Sequence, residues 1–113
     1  MQIPKDAALL RIFVGEKDRH GHLPLYEALV LKAREAGLAG ATVIRGSIGF
    51  GQSSILHTAK ILQLSDDLPM VVEIVDADAR IEAFLPTLDS MMSSGLVTIE
   101  KVRVIHYGKA AKS

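Results

Sequence analysis

The run Pro69-Met70-Val71-Val72-Glu73-Ile74-Val75-Asp76 is apolar at nearly every position and rich in β-branched residues. That composition predicts a strand that is central in its sheet or covered on both faces. Downstream, Asp76 or Asp78 is placed to cap a helix. Ile81, Phe84, Leu85, Leu88 and Met92 then recur at steps of three or four, forming one apolar stripe. Pro86 falls inside that pattern and is expected to kink or shorten the helix. Gly95 ends it, and Val97 to His106 alternates as a further strand.

Upstream, Asp66-Asp67 marks a turn, and His57 to Leu64 has no clear type. Ala41 to Ile48 reads as a strand. Before it lies a helix, with Pro24 at its start, Tyr26, Leu29, Val30 and Ala33 at helical spacing, and Gly37 as its stop. The first strand is Ala8 to Val14, followed by a charged loop from Gly15 to Gly21. The order β-α-β-β-α-β predicts an α+β fold, the ferredoxin-like βαββαβ sandwich: a four-stranded antiparallel sheet with two helices on one face. Right-handed crossovers leave few alternatives.

Composition sets the outer bounds. A chain of 113 residues with 49% hydrophobic residues is expected to form one domain, spanning 1–113, around a single core. Thirteen basic residues balance thirteen acidic ones, which removes the usual footprint of a nucleic-acid binder or a polybasic membrane anchor. The absence of cysteine excludes disulfides and thiolate metal sites. No apolar run reaches membrane-spanning length, and Met1 to Asp6 lacks the pattern of a secretory signal. A cytoplasmic protein, with no nucleic-acid partner and no direct membrane insertion, is expected. Residues 108–113 read as a frayed tail.

The chemistry-bearing stretch is Arg45-Gly46-Ser47-Ile48-Gly49-Phe50-Gly51-Gln52-Ser53-Ser54. Gly46, Gly49 and Gly51 allow a ligand close approach to the main chain, and their N–H groups form a candidate anion-binding concavity. Arg45 or Lys60 would add positive charge at its base. The competing account is a long hairpin connection that needs glycine only to bend. The stretch is neither a P-loop nor a dinucleotide fingerprint, because it lacks the Gly-Lys-Ser/Thr ending and the third spaced glycine. Lys101 and Arg103 share a face of the last strand and are candidates to clamp a phosphate. His20 and His22, with His57, His106 or Glu16, are metal candidates whose spacing completes no ligand set. Ser53, Ser54 and Thr58 lack a His–acid partner and read as turn formers or modification sites.

Three motifs together resemble a known family: Leu9-Leu10-Arg11-Ile12-Phe13-Val14-Gly15, Arg45-Gly46-x-x-Gly49-Phe50-Gly51, and Asp67-Leu68-Pro69 through Asp76. They look like the DUF190 family of PII-like proteins, over about Ala8 to Tyr107. The resemblance implies a regulatory protein and not an enzyme. It also implies a homotrimer with clefts between subunits, and a T-loop-like flexible segment over residues 46–60 that docks on a transporter or enzyme.

An adenine nucleotide is implied as effector, at Gly49-Phe50-Gly51-Gln52 and at Ser93-Ser94-Gly95 in the second-loop position. Arg45, Gly46, Lys60, Lys101 and Arg103 complete the candidate set. The second loop lacks the lysine-ended phosphate grip of PII proteins, and Met70-Val71-Val72 stands where PII proteins carry a lysine. AMP or ADP is therefore expected in preference to ATP, with no metal. A divalent-metal-binding trimer of the CutA type is the alternative. An acylphosphatase-like hydrolase ranks last, since the chain has no asparagine.

Overall fold

The computed structural model describes residues 6–46, 48–49, 57–58 and 68–108. The elements are β1 (Asp6–Gly15), β2 (Arg19–His20), β3 (Leu23–Pro24), α1 (Leu25–Glu35), β4 (Thr42–Arg45), β5 (Ile48–Gly49), β6 (His57–Thr58), β7 (Pro69–Asp76), α2 (Asp78–Met91) and β8 (Leu96–Arg103). β4, β7, β1 and β8 form the main sheet in that spatial order, and every pairing is antiparallel. This is the expected ferredoxin-like sandwich.

Cross-strand register assigns the faces, because directly paired residues project to the same side. Ala8, Leu10, Ile12 and Val14 of β1 pair with Asp76, Ile74, Val72 and Met70 of β7, and all eight are buried. Leu25, Ala28, Leu29 and Ala33 of α1 complete this layer with Ile81, Phe84, Leu88 and Met91 of α2. Fully burying one such large apolar side chain contributes roughly 1.5–3 kcal/mol, more than a typical exposed ion pair. Apolar packing therefore holds the helices to the sheet.

Among the described residues, the opposite face carries no helix. Arg11 lies at its centre, donating from Nε to Glu73 at 2.9 Å and from Nη1 to Glu100 at 2.7 Å. The hydrogen bond to Glu73 raises the guanidinium's pKa further above its ordinary value; desolvation opposes this, and the Glu100 charge adds to it.

β7 is an interior strand, as its composition predicts. Its burial alternates, however, because among the described residues helices cover one of its faces. The helix caps also differ from expectation. Neither Asp76 nor Asp78 side chain caps α2 as N-cap; that position is Ala77. Asp76 is instead fully buried, accepting from the Ala77 and Ala39 amides at 2.6 and 2.9 Å and from Arg80 Nε at 3.2 Å. A second Arg80 nitrogen, Nη2, bonds the Gly37 carbonyl oxygen.

α2 is not shortened at Pro86 but continues to Met91. Pro86 is on the exposed side of the helix, while the buried stripe of Ile81, Phe84, Leu88 and Met91 holds the helix down. α1 starts after Pro24, its first amide bonding the Asp18 carbonyl at 2.7 Å, and Gly37 follows it at φ 77°.

The second strand is shorter than the expected 41–48. Gly46 donates its N–H to the Pro69 carbonyl at 2.7 Å, and β5 then pairs with β6 in a separate ladder, Ile48 with Thr58 and Gly49 with His57. The last strand likewise ends at Arg103, three residues early. Beyond it Tyr107 Oη donates to the Ala39 carbonyl at 3.0 Å, which ties residues 104–108 to the loop after α1.

Candidate functional site

The register gathers several candidate residues at one end of the sheet. Gly15 pairs with Pro69, Arg45 with Met70, and Phe13 with Leu96. The end of β4 with Gly46, the start of β7, the turn after β1, and Ser93–Gly95 before β8 therefore share that end. They do not converge on one point. β4 and β8 are opposite edges of the sheet, so Gly46 and Gly95 are three strand spacings apart, roughly 14 Å.

Two glycines there are sterically required. A Cβ on Gly46 would lie 2.8 Å from Pro69 Cγ and 3.3 Å from the Pro69 carbonyl oxygen. Gly95 has φ 119°, and its Cβ would lie 2.6 Å from the Phe13 carbonyl oxygen and 2.7 Å from Met92 Cε. Both positions admit the chain's own backbone at close range. The Gly46 N–H is also already spent on Pro69, so it does not offer itself to an anion.

Arg45 is not a bare cation. Its Nη2 donates to Glu16 Oε2 at 2.6 Å. Glu16 sits on a closed turn: its own amide bonds the Leu68 carbonyl at 2.8 Å, Asp18 N bonds the Gly15 carbonyl at 3.2 Å, and Gly15 N bonds Asp18 Oδ2 at 2.8 Å. Composition and spacing contained no signal for this pair, whose members are 29 residues apart.

At the other edge, an open groove of about 670 Å³ runs between α2 and β8. Leu85, Leu88, Met92 and Val97 supply its apolar wall; Glu82, Asp89, Ser93, Ser94 and Gly95 supply its polar rim. Ser94 and Gly95 thus border a concavity whose charged side chains are acidic.

Lys101 and Arg103 pair with Ala8 and Asp6, at the far end of β8. Both are exposed and share the helix-side face of the sheet, while Glu100 projects to the other face and meets Arg11. Within one chain they are not brought to Arg45, Gly46 or Gly95. Gly49 lies in β5, and Phe50, Gly51, Gln52 and Lys60 lie outside the described residues. His20 and His22 are exposed in the small hairpin of β2 and β3, joined through Gly21 at φ 64°. Among the described residues no three His, Cys, Asp or Glu side chains are grouped to hold a metal ion, and no helix is long and apolar enough to cross a membrane.

Comparison with known proteins adds to this geometry. The chain is 41% identical over 98 residues to a UPF0166 protein of Aquifex aeolicus, covering 87% of this chain and 92% of that one. It is 30% identical over 99 residues to a UPF0166 protein of Methanocaldococcus jannaschii, covering 87% and 91%. Among solved structures it is similar to CPII, a nitrogen regulatory PII-like protein from Thiomonas intermedia K12 bound to ADP, AMP and bicarbonate. That match has a TM-score of 0.55 at 18% identity over 88% of each chain. CPII bound to ADP and bicarbonate matches with a TM-score of 0.54, also at 18% identity over 88% of each chain. The profile of the DUF190 family, described as an uncharacterized ACR, matches residues 7–104, and the chain belongs to that family.

Proposed function

We propose that this protein is a PII-like regulator, not an enzyme, that binds an adenine nucleotide in clefts between the subunits of a homotrimer. The observation that carries this reading is the separation of the candidate residues onto opposite edges of one sheet end. A single chain presents Arg45 and Gly46 on one edge and Ser94 and Gly95 on the other. A ring of copies sets the β4 edge of one beside the β8 edge of the next and closes a site that one chain leaves open.

The surface supports such a ring. Leu96, Val97 and Ile99 on β8 and Ile44 on β4 are exposed large apolar side chains at these edges. Lys101 and Arg103 stay candidates for phosphate contact, although at the far end of β8 from Ser94 and Gly95 they are not gathered by this edge pairing. CPII, bound to ADP and AMP, has the same fold.

AMP or ADP is favoured over ATP, since Arg45 is already paired and the groove beside Ser94 is acidic. The ligand reorganises residues 46–60, including Gly49, Phe50, Gly51, Gln52 and Lys60, and so alters docking on a transporter or enzyme in the cytoplasm. It does so only by contacting one arrangement of that segment better than the other. No metal takes part.

Calorimetric titration with AMP, ADP and ATP, alongside sedimentation analysis, tests the reading. One nucleotide per subunit of a trimer, with AMP or ADP tighter than ATP, is expected. No binding of any of the three would overturn it, and ATP binding tightest would overturn the preference.

A further inference from the structure

Resting on that reading, we propose that Glu16 is a specificity-determining residue which makes the site select against highly charged phosphate ligands. Arg45 is the cation at the base of the glycine segment, and its Nη2 is held by Glu16 Oε2 at 2.6 Å. The two partners are unequally free. The Arg45 side chain is 56% exposed and the Glu16 side chain 25%. The backbones of both are held: Glu16 through its amide bond to Leu68 and the Gly15–Asp18 turn, Arg45 through the β4–β7 ladder.

An anion arriving at Arg45 therefore meets a carboxylate already seated against the guanidinium and less exposed than it. Guanidinium is planar, with five donors in a fork, so it can engage a second anion while Glu16 keeps Nη2. That second anion then lies within a few ångströms of the Glu16 charge. The repulsion scales with the ligand's charge, so the total penalty grows along the series from one phosphate to three. Glu16 does not abolish anion binding at Arg45; it grades it.

The test is a charge ladder on the full chain and on Glu16→Gln, which keeps the shape and a hydrogen bond to Arg45 but removes the charge. AMP, ADP and ATP form one series; inorganic phosphate, pyrophosphate and tripolyphosphate form the other. Glu16→Gln is expected to tighten the most charged member by about tenfold or more, with a smaller gain for the least charged. Arg45→Met in the Glu16→Gln background is expected to remove the gain. Circular dichroism confirms that each variant is folded.

Equal affinities in the two proteins, an equal shift for every member, or a gain that survives Arg45→Met would overturn the proposal. A merely structural Glu16 would alter all members alike and give no charge-graded change. The nucleotide reading fails separately. A graded gain in the inorganic series without nucleotide binding sustains the role of Glu16 and removes the nucleotide. Nucleotide binding without a graded gain does the reverse. Absence of binding in both series overturns both.

Discussion

Replacing Asp76 with alanine is expected to be the most damaging single polar substitution in the described structure. The carboxylate is fully buried and accepts from the Ala39 amide, the Ala77 amide and Arg80 Nε. Truncation leaves two backbone donors without their acceptor, at about 1–2 kcal/mol each. Arg80 is partly exposed and can rehydrate, so its share is smaller, near 1 kcal/mol or less. The total is roughly 2–5 kcal/mol, a large part of the 5–15 kcal/mol typical of a domain. Asp76→Asn keeps the volume but turns an N–H₂ toward one of the donors, so about half that loss is expected.

Urea denaturation followed by circular dichroism, at one fixed protomer concentration, measures the change. Amide exchange at Ala39 and Ala77 localises it. Alanine at position 76 costing less than about 1 kcal/mol, with Ala39 still protected, would refute the account of this carboxylate as the tie between the α1–β4 loop and α2.

Two glycine substitutions separate steric need from simple flexibility. Gly95→Ala sets a Cβ 2.6 Å from the Phe13 carbonyl at φ 119° and is expected to destabilise by about 2–3 kcal/mol; a urea midpoint equal to wild type would contradict this. Gly46→Ala meets the Pro69 ring, which can shift slightly, so about 1–2 kcal/mol and faster amide exchange at residue 46 are expected, and unchanged exchange would count against the contact. As a control, a Cβ on Gly40 meets nothing within 4 Å, and Gly40→Ala should change stability by no more than about 0.5 kcal/mol in the same melts.

Alternating residues made the sheet legible. Leu10, Ile12 and Val14 are on the buried face because strand geometry repeats every two residues, and the α2 stripe follows the helical repeat in the same way. Periodicity does not report where a ladder ends. β4 stops at Arg45 because Gly46 closes on Pro69, and β8 stops at Arg103 because the following residues leave the sheet for Ala39. Both terminations depend on contacts with distant residues.

The site was legible by residue type and not by placement. Arg45 stood out as a cation beside glycines, yet its partner Glu16 comes from another loop and is visible only once β1, β7 and β4 are aligned. Lys101 and Arg103 share a face, as a strand requires, but antiparallel register carries them to the opposite end of the sheet. Asp76 read as a helix cap; its burial arises from the loop that folds over it.

The pairing of Asp6 with Arg103 has a practical consequence for experiment. The first and last strands of the sheet enter and leave side by side, at the end away from Gly46 and Gly95. A fluorophore or fused reporter attached there is separated from its own chain's Gly95 by the length of the eight-residue strand β8, roughly 23 Å. The same adjacency lets a short linker join the two strands, so that the polypeptide can be reopened elsewhere. A circular permutant cut between α1 and β4 would retain every ladder of the main sheet, and whether it still folds would report how far that sheet depends on the order of its strands.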